Sequence, residues 1–78
     1  MTREEFTTLM CYISADLVAF IAERRGVSHE EAMMKLYSSK LYELLESEDT
    51  KVWHYSTHML YSLLEQEEKN GKIEFPDV

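Results

Sequence analysis

Cysteine is almost missing from this chain of 78 residues: Cys11 stands alone, so no disulfide framework holds the fold. Glycine occurs twice, at Gly26 and Gly71, and proline once, at Pro76. That leaves no Gly-rich phosphate loop and too few turn residues for a many-stranded β fold. Basic residues are scarce as well, 8 against 15 acidic ones, for a net charge of −7. So acidic a chain lacks the positive footprint needed to hold a phosphate backbone, which sets nucleic acid aside as a partner. The longest charge-poor stretch, Phe6 to Ala22, is only 17 residues and is interrupted by Asp16. It sits at the short limit for a membrane span, and the start Arg3-Glu4-Glu5 is unlike a secretory signal. The expectation is a cytoplasmic protein with no membrane partner and a reduced thiol.

What is present is 45% apolar, the proportion of a packed globular domain. At this length a single core is only marginally stabilising, so a second subunit is a natural supplement. The pattern is helical throughout. Thr2 and Glu5 have capping-box spacing, and Arg24-Arg25-Gly26 has the cations and glycine of a helix end. Between them Phe6, Leu9, Met10, Ile13, Leu17, Phe20 and Ile21 recur on one face of a helix over about 3–25. A second, narrower stripe, Cys11, Ala15, Val18 and Ala22, faces away from it. Asp16 and Tyr12 fall on the flank between, spaced for a hydrogen bond.

Ser28 and Glu31 repeat the capping box, with Val27 and Ala32 placed as a hydrophobic staple. They begin a helix over 29–37 that buries Ala32, Met33 and Leu36. Ser38-Ser39 breaks it, because serine hydroxyls compete for backbone groups, and a helix over 40–46 buries Leu41, Leu44 and Leu45. A single helix over 29–46 is the alternative, since Met33, Tyr37, Leu41 and Leu44 also share a face. Residues 47–55 connect to a last helix over 57–70, capped by Ser56 or Thr57 and stopped at Gly71. Its stripe of Met59, Leu60, Leu63 and Leu64 is interrupted by Glu67. The tail, 72–78, alternates apolar and charged residues and reads as extended, lying on the core or pairing with residues 51–55. The fold class is therefore all-α: a small, single-domain bundle of three to four helices around a long N-terminal helix, with a short extended tail.

Candidate chemistry is sparse. His54 and His58 have the i, i+4 spacing of a metal pair, but the cap at Ser56 or Thr57 falls between them. Cys11 lies in an Ala/Val stripe, where a thiol behaves as a small hydrophobe rather than a nucleophile. Trp53, His54 and Tyr55 read as anchors that fold the connection back on the core. The reading is non-enzymatic, without cofactor or metal. Charge is uneven: residues 1–40 carry a net −1 and residues 41–78 a net −6. Together with the many tyrosines and methionines this favours a protein-protein interface.

The segments LYSSKLYELL (36–45), DTKVWHYS (49–56), LYSLLEQE (60–67) and GKIEFP (71–76) carry a resemblance. They are similar to a group of small, uncharacterised bacterial helical domains, some of them encoded beside toxin-like enzymes. The resemblance covers most of residues 27–76 and implies an antitoxin-like or accessory subunit, acting by blocking a protein rather than by binding DNA. The alternatives are a structural homodimer, paired through Cys11, Ala15, Val18 and Ala22 or through an exposed aromatic patch, and a small-molecule or metal-binding domain using His54 and His58.

Overall fold

The computed structural model describes residues 2–75. Four helices follow one another: α1 (Arg3–Arg25), α2 (His29–Tyr37), α3 (Lys40–Glu46) and α4 (Thr57–Asn70). Two short 3₁₀ turns, Glu48–Thr50 and Val52–His54, occupy the connection before α4. No strand occurs among the described residues, so the tail pairs with nothing in that way. Instead Ile73 packs on the core and the Glu74 N–H donates to Gln66 Oε1. The remainder of the tail, 76–78, lies outside the described residues.

Local chemistry sets each helix end. Thr2 Oγ1 accepts from the Glu5 N–H while Glu5 returns the bond to the Thr2 N–H, a complete capping box. Those bonds to Thr2 hold the Glu5 carboxyl below its ordinary pKa. At α2 only half the box forms: Ser28 Oγ accepts from Glu31 N–H. Ser39 and Ser56 cap α3 and α4 in the same manner. Gly26 and Gly71 take the left-handed conformation that ends α1 and α4, where a side chain would be strained.

Helix length decides what is covered. The 23 residues of α1 rise about 34 Å, matching the 35 Å long axis of the molecule. Helix α2, with nine residues, rises only about 14 Å. Helices α2 and α4 pack on α1, and α3 closes the bundle against α2 and α4. The core gathers Leu17, Ile21, Leu36, Leu41, Leu45, Leu60, Leu63 and Leu64, all essentially inaccessible to solvent. Phe6, Leu9, Ile13 and Phe20, on the same face of α1, are only half-buried because the shorter helices do not reach around them. By length and composition α1 is apolar enough to cross a membrane, with a mean hydropathy of 1.4 over its best window. In the bundle its most apolar face is the core.

Glu67 explains the interruption of the α4 stripe. Its carboxylate accepts from the backbone N–H groups of Lys40 and Leu41 at 2.9 and 3.0 Å, capping α3 from another helix. Removing it leaves two donors at the start of α3 without that partner. Glu67→Ala is expected to cost about 1–2 kcal/mol by thermal melting, and Glu67→Gln, which keeps one acceptor, less.

A candidate docking groove on α1

Where α2 and α3 part from the N-terminal half of α1, a groove of about 730 Å³ opens. Phe6, Met10, Ala15 and Val18 of α1 form its floor, with Met33 and Tyr37 of α2 and Tyr42 and Glu46 of α3 along the opposite wall. Lining runs from Arg3 to Val18, a span of roughly 22 Å along α1. The Tyr37 and Tyr42 rings meet at 4.7 Å between centroids. Burial holds the Tyr42 phenol above its ordinary pKa, aided by the Glu46 carboxylate. Met33 is 40% exposed, Tyr37 46% and the neighbouring Met34 72%.

The narrow stripe of α1 is divided by this arrangement. Val18, at the groove floor, and Ala22 are buried in the core, whereas Cys11 and Ala15 are exposed in the groove. A homodimer contact through all four residues is therefore not open: half the stripe already serves the core. Met33, expected inside, stands in the groove because α2 turns Ala32 and Leu36 inward. Leu44 is likewise half-buried rather than buried. Tyr12 and Asp16 are both exposed, and the hydrogen bond expected between them is not among those of the described residues.

The histidine pair does not share a site. His54 sits in the second 3₁₀ turn, with Nδ1 against the carbonyl of Lys51, while His58 lies on α4 with its ring edge-on to Phe20. Ser56, the cap of α4, separates them. Among the described residues no group of three or more His, Cys, Asp or Glu side chains is placed to hold a metal. Cys11 and His29 line the same groove without a hydrogen bond joining them among the described residues.

Trp53 is half-buried, edge-on to Phe6 at 6.1 Å, and its indole N–H donates to the Glu48 carbonyl at 2.9 Å. It ties the connection to α1, with less burial than full enclosure would give. Trp53→Ala is expected to cost about 2–3 kcal/mol, below the range for a fully buried Trp. The wild-type emission maximum should lie to the blue of free indole. An unchanged melting temperature in the variant would contradict this anchoring.

On the far side of the bundle Arg25 links α1 to α4, reaching both oxygens of Glu68 at 3.0 and 2.5 Å and the Tyr61 hydroxyl at 3.0 Å. Arg24 lies over the Phe20 ring at 5.3 Å. The Arg25 hydrogen bonds hold the Glu68 carboxyl below its ordinary value of 4.5 and raise the guanidinium pKa. A carboxyl with a lowered folded pKa stabilises the fold above its unfolded pKa and loses that effect as pH falls through the folded one. Replacing Glu68 by Gln should therefore flatten the fall of melting temperature on acidification below about pH 4.5. Near neutrality the change should be under about 1 kcal/mol, since the pair is solvent-accessible.

Set against protein-family models, curated proteins and solved structures, the chain finds no match.

Proposed function

We propose that this chain is a non-enzymatic, cytoplasmic protein-protein interaction module that docks its partner in the groove between α1, α2 and α3. The exposed Met33 and Tyr37 beside the apolar floor of α1 carry this reading. A methionine and paired tyrosines supply large, adaptable contact area with polar tips, the composition that interfaces favour. An accessory or antitoxin-like role for such a module is what the likeness read in the sequence of residues 27–76 would imply. Ala15 offers the direct test. It is exposed in the groove, so Ala15→Arg should block docking while the protein still melts cooperatively. Co-purification from the cells that encode the chain should recover a protein with the wild type and not with the variant. Recovery of the same proteins with both would reject the groove as the docking surface.

A second reading, an isologous homodimer, is favoured by Cys11 and Ala15, whose small side chains would let two α1 helices approach closely. Sedimentation at high micromolar concentration separates the two. A wild-type dimer that Ala15→Arg converts to a monomer supports self-association.

A further inference from the structure

We infer that the groove selects a cationic amphipathic helix. This rests on the docking reading above and adds the chemistry of the partner. Three observations carry it. The first is shape: the groove is open along its length and its lining covers roughly 22 Å of α1, room for a helix of about 15 residues. The second is the apolar floor already described, which would take the apolar face of such a helix.

The third is charge on the rim. Glu46 lines the groove itself. Glu43 stands one turn before it on α3, and residues three and four apart on a helix are surface neighbours. By the same spacing Glu4 adjoins Thr7 on α1, and Glu30 adjoins Met33 on α2. All four carboxylates are exposed. Among the described residues that line the groove, Arg3 is the one Lys or Arg. Neither Lys35 of α2 nor Lys40 of α3 is among the residues that line the groove. One carboxylate thus lines the groove and helical spacing sets three more beside its lining residues, so each of the three helices brings acidic charge next to an apolar floor. A helix with leucines on one face and lysines at its edges complements both, and the net charge of −7 would speed its approach. The same charge opposes a second copy of this chain as occupant.

The test uses the full chain and labelled synthetic helices of about 15 residues with one leucine pattern, their polar positions filled by Lys, Gln or Glu. Fluorescence anisotropy should show saturable binding of the Leu/Lys helix, about tenfold or more tighter than the Leu/Gln helix and weakening with added salt. Ala15→Arg should weaken Leu/Lys binding about tenfold or more. Glu30→Gln combined with Glu46→Gln should weaken Leu/Lys binding and leave Leu/Gln binding unchanged. Circular dichroism melting confirms that each variant is folded, and Thr7→Arg replaces Ala15→Arg should the latter not fold.

Equal affinity for the Leu/Lys and Leu/Gln helices, both sensitive to Ala15→Arg, would overturn the charge selection and leave the docking reading standing. Leu/Lys binding insensitive to Ala15→Arg and Thr7→Arg would overturn the inference as diffuse attraction to an acidic surface. A wild-type dimer dissolved by Ala15→Arg would overturn it in favour of a second copy. If no helix binds and the chain stays monomeric, the inference falls, while the docking reading is decided by the co-purification described above.

Discussion

Ala22→Glu is expected to leave the protein unfolded at room temperature, whereas Ala15→Glu should melt cooperatively within a few degrees of the wild type. The two alanines lie on the same stripe of α1, two turns apart. Ala22 is buried in the core, and its carbonyl accepts the N–H groups that close the end of α1. A carboxylate there is stripped of water and costs several kcal/mol, besides the steric cost of a longer side chain. A chain of this length has on the order of 4–12 kcal/mol of total stability, so the loss consumes most or all of it. Ala15 faces solvent in the groove, where a charge is hydrated at little cost. Far-UV circular dichroism on both variants checks the contrast. Equal destabilisation would mean that Ala15 is buried as well.

Leu17→Ala should be nearly as severe, at about 3–5 kcal/mol. Leu17 is fully enclosed at the middle of α1, among residues from the three other helices. Deleting its terminal carbons removes contacts on every side, and a helix as long as the molecule is poorly placed to collapse into the space. Urea unfolding should show a lower midpoint with an unchanged slope, the signature of lost stability rather than of a different unfolded state.

How much of this was written legibly in the sequence differs from element to element. Helix ends were the plainest, because Thr2, Ser28, Ser56, Gly26 and Gly71 act on groups only a few residues away. The serine pair at 38–39 belongs with them, since Ser39 caps the helix that follows it. The broad face of α1 was legible as a period, but the depth of burial along it was not. That depends on how far α2 and α4 reach, which is a matter of their lengths and of where the chain turns.

The groove escaped sequence reading for the same reason. Cys11, Ala15, Val18 and Ala22 are equivalent by period, and only their tertiary surroundings separate the buried pair from the exposed one. Met33 was misplaced because the exposed and buried sides of a nine-residue helix lie close in register. One signal was present and pointed correctly to something unusual: a glutamate at the next position of an apolar stripe. Its partner, the backbone of α3, lies 26 and 27 residues away and carries no side-chain signature in the sequence. The Trp53 indole bond to the Glu48 carbonyl was equally invisible, being a contact to main chain.

The bond from Glu67 to α3 also bears on the order of folding events. Seven residues are too few to hold a helix in isolation, since the nucleating turn costs more than the later turns return. Here Ser39 holds one N–H group of that first turn and α4 holds two more, so the start of α3 is complete only once α4 has docked. A native contact made after the rate-limiting step appears in the unfolding limb of the kinetics alone. Glu67→Ala should therefore hasten unfolding several-fold and leave the refolding rate nearly untouched, making α3 the last part of the bundle to settle and the first to come loose.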